Sequence, residues 1–436
     1  MNNSIDSAWL TLFRKKRVLD VVKRQGFADV SAEDIKRIAN KEPRLMAKVN
    51  SAHEMPEVFR KNSLNLISIK RGIYRIAPFN LFHEVEYDKL RQEPIRSMVI
   101  PSWLCTLASD IGKRSEAGLL SSCYASGIIG EVLNAKEDAV YPGTYGRLTT
   151  DKMRFSAKAI GATNGERVVF PCTNVQFEVD ASYESPESMV ILEAKNCFLS
   201  DFNIRQLYFP WRYFSEQFHK PVLPVLVMRS NDVVVLCEYG FQDANEIDSL
   251  VLVRARRYSF VDTDISLGDI QEVFSEIKRF KTARQANSEV IFPQADKMEL
   301  VIDLCERLKS SSAETEEVAS GLNYVHRQGH YYAEAARFLG LVEKNGTSRY
   351  SLSKDGVRIF DMPYKQRQLS LVRQILKFKV FAKCLKFALE NSHLPDAQQV
   401  ASWIADDKWP ISSSTLHRRA GTVLGWIRWI LKLTNS

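Results

Sequence analysis

The 436-residue sequence contains no apolar run as long as the roughly 18 residues that a membrane-spanning helix needs. Its opening, MNNSIDSAWLTLFRKKR, places the basic residues after the apolar ones, which is the reverse of a secretory signal. We therefore expect a cytoplasmic protein with no membrane partner.

The sequence also lacks the spacings with which sulfur or imidazole groups bind metals. Its seven cysteines are scattered without a C-x-x-C pair, so we expect buried free thiols rather than a zinc site or a disulfide framework. Its seven histidines show no ligand spacing, and Gly329 disfavours a helix that would pair His326 with His330. No histidine is assigned to catalysis.

Positive charge is in excess but is unevenly placed. The formal net charge of +8 consists of +8 in residues 1–80, +7 in residues 361–436 and −7 in the residues between them. Basic ends around an acidic centre suit DNA-binding arms that flank a carboxylate-rich site. The same distribution also fits ordinary solvated domains, so charge by itself does not decide between the two.

Changes in pattern divide the chain into three regions, and its length predicts several domains. We expect an N-terminal domain at 1–95, a central domain at 96–290 and a C-terminal region at 291–436. Sequence repeats and low-complexity tracts are not evident in any of them.

Both ends have the pattern of a winged helix. Near the N-terminus, Ser31 is placed to cap a helix over EDIKRIAN and Pro43 to open the next, before the strand-like runs LNLISIK and GIYRIAPF. The turn between those runs would put Lys70 and Arg71 at the tip of a DNA-binding wing. Towards the C-terminus, AEAARFLGLVEKNGTSRYSLSKDGVRIF predicts a helix and two strands joined at Asn345-Gly346.

The central region alternates helices and strands. A helix over LLSSCYASGIIGEVLNA precedes the strand-like runs ERVVFPC, VQFEVDASY and SMVILEAKN. A second helix, FNIRQLYFPWRYFSEQF, is followed by the strand-like runs VLPVLVMRS, DVVVLCEYGF and SLVLVRARRYSFV. This order predicts a mixed sheet with helices on its faces.

The segment FEVDASYESPESMVILEAKN carries the chemistry. A turn around Ser185-Pro186 would join two neighbouring strands and bring Asp180 together with Glu193 and Lys195, which are two apart and so share a face. Two carboxylates bind Mg²⁺ through hard oxygens, and a lysine adds a compact positive charge, which together suit phosphodiester hydrolysis. An E-x-K triplet also fits an exposed ion pair, but MVILEA is too apolar for a strand that faces solvent.

These residues resemble the PD-(D/E)XK nuclease family, in which an acid on one strand precedes E-x-K on the next. Val179 stands where the family name has proline. The resemblance implies an α/β nuclease core, with catalytic Asp180, Glu193 and Lys195, and with Mg²⁺, replaceable by Mn²⁺, held by Asp180 and Glu193. Many members add a glutamine from the following helix and some a carboxylate from the preceding one, which here correspond to Gln206 and Glu131.

Two further sets of residues have a functional and a plain interpretation. On the helix after the sheet, Tyr208 and Trp211 fit support of the site but equally fit packing against the sheet. In YPGTYGRLTT, Arg147 is placed to reach a phosphate, although its glycine neighbours also fit an ordinary loop.

The C-terminal region ends in helices. A long basic helix is predicted at 365–391, then a short one in DAQQVASWIA and a last one from Ser414 to Leu433. The last helix has an apolar stripe, with Trp426 and Trp429 enlarging the core. Four residues lie off that stripe: Thr415, Arg418, Arg419 and Thr422. We expect them to contact DNA as the residues of a recognition helix do, although they also fit a solvated basic face.

A nuclease core between two winged-helix-like ends resembles a type II restriction endonuclease, a bacterial enzyme that cuts double-stranded DNA at specific sites. Because a palindromic site needs two active sites, we expect a homodimer. The resemblance also implies a DNA methyltransferase that acts on the same site. Another nuclease of the superfamily, such as a transposase subunit, a repair nuclease or a different defence nuclease, stays open, as does a DNA-binding regulator with a degenerate nuclease fold.

Overall fold

The structure, a computed structural model, describes residues 3–109, 115–161, 165–277, 291–310, 328–345, 349–409 and 411–435. In these ranges the α-helices are α1 (Asn3–Lys16), α2 (Val18–Gln25), α3 (Ala32–Asp34), α4 (Pro43–Met46), α5 (Glu57–Lys61), α6 (Tyr87–Leu90), α7 (Cys105–Ala108), α8 (Glu116–Ala125), α9 (Ile128–Leu133), α10 (Arg205–Gln217), α11 (Leu267–Ser275), α12 (Met298–Ser310), α13 (Gln328–Phe338), α14 (Lys354–Phe360), α15 (Tyr364–Leu376), α16 (Lys379–Asn391), α17 (Ala397–Asp406) and α18 (Ser413–Lys432).

The strands in the same ranges are β1 (Ala28–Ser31), β2 (Asn65–Lys70), β3 (Ile73–Ala77), β4 (Phe82–Glu84), β5 (Ile95–Ser97), β6 (Tyr141–Pro142), β7 (Gly146–Thr149), β8 (Met153–Lys158), β9 (Arg167–Cys172), β10 (Gln176–Val179), β11 (Ala181–Glu184), β12 (Met189–Lys195), β13 (Asp201–Asn203), β14 (Val222–Ser230), β15 (Val233–Phe241), β16 (Leu250–Ser259), β17 (Val342–Asn345) and β18 (Arg349–Leu352).

The chain forms two compact units, each assembled from separate segments. Most of the N-terminal region and most of the central region belong to the first unit, and the whole C-terminal region belongs to the second. The first unit comprises Met1–Glu86, Val99–Met228 and Val235–Arg256, and the second comprises Tyr87–Met98, Arg229–Val234 and Arg257–Ser436.

The N-terminal part of the first unit is a three-stranded antiparallel sheet, in the order β1-β3-β2, with α1 to α5 around it. The cap predicted at Ser31 is confirmed, because its hydroxyl accepts from the Asp34 amide at 2.9 Å and the Asp34 carboxylate accepts from the Ser31 amide. Pro43 opens α4 as expected. Trp9 and Phe59 pack edge to face in the core, at 4.9 Å between ring centroids.

The central part of the first unit is built on a seven-stranded sheet in the order β5-β16-β15-β14-β12-β11-β6. Strands β11 and β12 are antiparallel, whereas β12 and β14 are parallel, with α10 in the connection between them. The expected mixed sheet with helices packed on it is therefore confirmed, with both α8 and α10 in contact with β12. The first strand in this order, β5, pairs with the Arg257–Ser259 end of β16, and both of these segments belong to the second unit.

Two expected continuous elements of the central region are interrupted. The run VQFEVDASY does not form one strand: β10 pairs with β7 in a small sheet, β11 joins the large sheet, and Asp180 lies at the bend between them. The helix expected over LLSSCYASGIIGEVLNA breaks into α8 and α9 at Gly127. With a φ of 82°, Gly127 adopts the left-handed conformation that ends a helix.

The second unit is mainly helical, with the β17-β18 hairpin beside its helices. The helix expected at 365–391 is two helices, α15 and α16, because Phe378 between them is extended (φ −92°, ψ 129°). Its ring leaves the helical path to stack on Phe338, at 3.9 Å between centroids, inside an aromatic core. The predicted turn residue Gly346 lies outside the described residues.

The described helices and the cysteines bear on the expectations about membranes and thiols. None of the described helices has both the length and the apolar character that a membrane span requires. The cysteines are free thiols, as expected, and most of them are buried, although Cys105 is exposed and Cys197 is half-buried.

Candidate active site

The β11-β12 hairpin brings the predicted catalytic residues together. Its register pairs Ala181 with Leu192, so that the residue before β11, Asp180, lies across from Glu193. The amide of Ala194 donates to Asp180 Oδ2 at 2.9 Å, which ties the bend after β10 to the end of β12. The tight turn that makes this pairing possible is closed by a hydrogen bond from the Ser185 amide to the Ser188 carbonyl.

A hydrogen-bond network centres on one oxygen of Glu193. Its Oε1 accepts from Lys195 Nζ at 2.5 Å and also from Gln206 Nε2. Lys195 Nζ donates in addition to the Ala194 carbonyl at 2.9 Å. Gln206 lies in the first turn of α10, so this helix holds the Glu193 carboxylate in a fixed orientation.

Burial controls the electrostatics of this network. Glu193 is only 8% exposed, and burial raises its pKa to about 7, against the opposing effect of Lys195 and with the support of Asp180. Burial by itself would lower the pKa of Lys195, but the carboxylates around it, Glu193 above all, together outweigh burial and raise that pKa above its usual value. Lys195 is therefore a proton-bearing cation at neutral pH.

The remaining acids of this region occupy different positions. Glu116, at the start of α8, acts electrostatically on both Glu193 and Lys195, raising the pKa of each. Glu131, the carboxylate expected from the preceding helix, lies on α9 and is exposed. Glu178 is half-exposed between two arginines, Arg44 and Arg147, each 3.7 Å away. Arg147 is thus beside the site, with its guanidinium next to a carboxylate.

The carboxylates fit a hard divalent cation. Among the described residues, no group of three or more His, Cys, Asp and Glu side chains is arranged to hold a metal ion. Two carboxylates are nevertheless enough for Mg²⁺, which in proteins usually keeps water and substrate phosphate as its other ligands. Asp180 Oδ1 and Glu193 Oε2 accept no hydrogen bond from any residue in the described ranges, so one oxygen of each acid is available.

The aromatic residues of α10 have the packing role that was the plainer interpretation. Tyr208 is fully buried, and its hydroxyl donates to the Ala244 carbonyl at 2.8 Å. The Trp211 ring packs on Phe241, at 4.5 Å between centroids. Both side chains fix α10 against the sheet and so hold Gln206 in place.

The expected DNA-binding residues at the N-terminal end lie on a hairpin tip. Lys70 and Arg71 are exposed at the turn between β2 and β3. The hairpin is anchored there, because the Thr173 amide donates to the Ile69 carbonyl at 3.1 Å.

The expected recognition residues at the C-terminal end are less uniform. Thr415 and Arg419 are half-buried and Arg418 is exposed. Thr422 is only 2% exposed, which contradicts its expected place on a DNA-facing surface. It is buried because α18 packs on more than one side, as the burial of Trp426 and Trp429 also shows.

Three residues near the site were not identified from the sequence: Glu116, Arg205 and Tyr74. Arg205 opens α10 next to Gln206, and it is the only charged residue in the run FNIRQLYFPW. That isolated charge is a usable signal. Glu116 and Tyr74 come from distant parts of the chain, and nothing in their local sequence indicates the contact.

Three family models match successive parts of the chain, and each is described as a domain of unknown function. They are DUF6996 over residues 6–76, DUF6997 over residues 77–259 and DUF7226 over residues 300–435. No curated protein and no solved structure matches the chain. The residues of the candidate active site, from Asp180 to Gln206, all fall within the part that is similar to DUF6997.

Proposed function

We propose that the protein is a metal-dependent DNA endonuclease with a PD-(D/E)XK core. Asp180, Glu193 and Lys195 are its catalytic residues, and Gln206 is a positioning residue that acts through Glu193. The observation that carries this proposal is that two carboxylates and a lysine meet at the end of the antiparallel β11-β12 hairpin. After β12 the chain passes through α10 to β14, which pairs with β12 in parallel.

Burial supports a catalytic role over a structural one. An ion pair on a protein surface contributes little stability, and a buried one is weak evidence for stability because both groups must be desolvated. Glu193 and Lys195 nevertheless lie together on a strand whose other residues are apolar and buried. Clustered carboxylates with a raised pKa beside a lysine are typical of functional sites.

Each side chain has a task that follows from its contacts. Asp180 Oδ1 and Glu193 Oε2 would hold Mg²⁺, while the Ala194 amide and Gln206 orient the two carboxylates from behind. When bound, Mg²⁺ polarises a phosphoryl oxygen and lowers the pKa of a water molecule. Lys195 keeps its proton, so its ammonium orients the attacking water and stabilises the negative charge that develops on the phosphate. The site does not require it to act as a base.

Sequence-specific cleavage is the second part of the proposal. The order of α1, β1, further helices and the β2-β3 hairpin, with β3 between β1 and β2, supports a winged helix at the N-terminal end. In the second unit, α13 precedes the β17-β18 hairpin in the same way. DNA-binding modules that flank a nuclease core favour a type II restriction endonuclease, active as a homodimer and accompanied by a methyltransferase for the same site.

The decisive experiment is digestion of unmethylated phage DNA by the purified protein with Mg²⁺, with Mn²⁺, with Ca²⁺ and with EDTA. We expect discrete fragments with Mg²⁺ or Mn²⁺, and binding without cleavage with Ca²⁺. A smear of fragments would replace the restriction assignment by a non-specific nuclease. DNA that is bound but stays intact under all conditions would favour the regulator, and full cleavage in EDTA would exclude the two-carboxylate mechanism.

A further inference from the structure

Arg205 is a half-buried cation without a counter-ion of its own. Within the described ranges its guanidinium makes no hydrogen bond or ion pair, whereas its backbone amide donates to Asn203 Oδ1 at 3.1 Å. Burial lowers the pKa of Arg205, while Glu193 and Tyr74 act against that effect. Glu193 acts on Arg205 electrostatically, but no hydrogen bond or ion pair joins the two side chains, and Glu193 Oε1 accepts from Lys195 and Gln206 instead.

Other arginines of the first unit that are removed from solvent each have a carboxylate. Arg75 lies 2.7 Å from Asp29, and Arg256 lies 3.0 Å from Glu238. A charged group that is withdrawn from water without a partner destabilises the fold, so such pairs are the rule. Arg205 is an exception to this rule, which indicates that the anionic partner of Arg205 comes from outside the chain.

Tyr74 supplies a second donor at the same place. It lies on β3, it is half-buried, and its hydroxyl makes no hydrogen bond with any described residue. Burial raises the pKa of Tyr74 although Arg205 lowers it, so the hydroxyl keeps its proton at neutral pH and can donate.

Backbone hydrogen bonds hold the start of α10 close to the N-terminal part of the chain, which contains β3. The segment immediately before α10 is fastened to the N-terminal part of the same unit: the Asn203 amide donates to the Asn50 carbonyl at 2.8 Å, and the Ala52 amide donates to Asp201 Oδ1 at 2.6 Å. Strand β13 in that segment also pairs with β4. Arg205, which directly follows this segment, is therefore held beside the N-terminal part of the unit by several hydrogen bonds rather than by one loop.

We propose that Arg205 and Tyr74 form a binding site for a phosphodiester group of the DNA backbone, next to the phosphate that Asp180, Glu193 and Lys195 attack. A guanidinium fork binds two oxygens of a phosphate at once, and a tyrosine hydroxyl can donate to the same group. The inference rests on the proposed nuclease function and deepens it. It makes the N-terminal part of the chain a contributor to the site, where it positions the DNA strand relative to the catalytic residues.

The test is a set of binding titrations on duplex DNA in EDTA, so that no cleavage occurs, at several salt concentrations. Arg205→Ala should weaken binding about tenfold and reduce the slope of log Kd against log salt by about one. Arg205→Lys should keep the slope but regain only part of the affinity, because it lacks the fork. Tyr74→Phe should weaken binding several-fold at an unchanged slope.

The matched control is Arg212→Ala, on the same helix, because Arg212 already pairs with Glu216 at 2.5 Å and should change neither affinity nor slope. Thermal melting separates a ligand-binding role from a structural one. Removing an unpaired, half-buried charge should leave the melting temperature of Arg205→Ala equal to or above that of the wild type. A lower melting temperature with unchanged DNA affinity would overturn the proposal.

Two further outcomes keep this inference distinct from the nuclease proposal. If Arg205 matters only for DNA that carries 5′-phosphates, the site holds a terminal phosphate and the backbone assignment is wrong. If Arg205 governs binding to both kinds of DNA but the wild type never cleaves with Mg²⁺ or Mn²⁺, the phosphate site stands and the nuclease assignment falls.

Discussion

At the scale of single residues, Glu193 is the group whose protonation would control cation binding at the proposed site. Burial raises its pKa to about 7, from the 4.5 of an exposed glutamate. A carboxyl group that holds a proton is a poor ligand for Mg²⁺, because metal and proton compete for the same oxygens. Lys195 keeps its charge throughout this range, since its own pKa is raised.

The first prediction is a pH–rate profile controlled by Glu193. With Mg²⁺ below saturation, the single-turnover cleavage rate should rise about tenfold for each pH unit below about 7 and level off above it. More Mg²⁺ should move the midpoint to lower pH, because the cation displaces the proton. Glu184→Gln removes a carboxylate from the other end of the hairpin, where Glu184 pairs with Lys220, and should leave the profile unchanged. A flat profile across neutral pH would contradict this assignment.

A second prediction at this scale separates catalysis from binding. Glu193→Gln and Lys195→Ala should each reduce cleavage by at least a thousandfold, on the order of 4 kcal/mol in activation free energy. Both should bind cognate DNA about as well as the wild type, since the contacts that hold DNA lie elsewhere. Cleavage assays and gel-shift titrations on the same preparations give both quantities. Wild-type cleavage by Lys195→Ala would mean that the site has been placed wrongly.

At the scale of elements, two glycines of α18 provide a matched test of helix packing in the second unit. A Cβ on Gly425 would lie 2.3 Å from the Asp296 carbonyl oxygen, a backbone atom that cannot easily move, whereas a Cβ on Gly421 would meet nothing within 4 Å. The neighbouring Trp426 indole donates to the Ala295 carbonyl at 2.7 Å, so this close approach is fixed.

The third prediction follows from that difference. Gly425→Ala should lower the free energy of unfolding by about 1–3 kcal/mol, the usual cost of overpacking. Gly421→Ala should leave it unchanged or raise it by up to about 1 kcal/mol, because alanine is the better helix former. Urea denaturation followed by circular dichroism measures both. Equal stability of the two variants would show that the backbone at Asp296 can move aside.

The elements that sequence pattern predicts best are those with a regular period and a clear end signal. The alternation around Glu193 and Lys195 and the turn at Ser185-Pro186 were enough to predict the hairpin that forms the site. The break at Phe378 was not predictable, because no glycine or proline marks it and its cause is the ring stacking on Phe338. The bend at Asp180 was not predictable either, because it arises where the chain passes from the pairing of β10 with β7 to the pairing of β11 with β12.

The residues of the candidate site also divide into those that the sequence predicts and those that it does not. Asp180, Glu193 and Lys195 lie close together in the sequence, so the pairing of one hairpin is enough to predict that they meet. Gln206 required the resemblance to a family. Arg205 and Tyr74 are 131 positions apart in the numbering, and their proximity depends on how the segment at residues 49–52 is hydrogen-bonded to the one at residues 201–203. No local sequence pattern indicates such a contact.

At the scale of the whole molecule, the two basic ends differ in the side chains that they can offer to DNA. Near the N-terminus, Arg14 and Lys15 are exposed, whereas Lys16 pairs with Asp34 at 3.0 Å and Arg17 with Asp20 at 3.0 Å. In the last helix, Arg418 is exposed but Arg419 is half-buried, and burial lowers the pKa of Arg419. One exposed cation at each end, Lys15 and Arg418, therefore gives the cleanest comparison.

The last prediction concerns how these ends share the work. Lys15 belongs to a dense basic cluster suited to phosphates, so Lys15→Ala should weaken binding equally on cognate and random DNA and flatten the salt dependence. Arg418 lies in the first turns of α18, near Thr415, where a recognition helix contacts base edges. Arg418→Ala should therefore cost about 1–3 kcal/mol on cognate DNA and much less on random DNA.

Competition titrations of both variants on the two DNAs, at several salt concentrations, measure this difference directly. Equal losses for Arg418→Ala on cognate and random DNA would mean that α18 contacts only the backbone. Base recognition would then have to come from elsewhere, and the exposed pair Lys70 and Arg71 at the β2-β3 turn is the next candidate. Because that hairpin belongs to the same unit as Glu193 and Arg205, recognition and cleavage would then be carried by one compact unit.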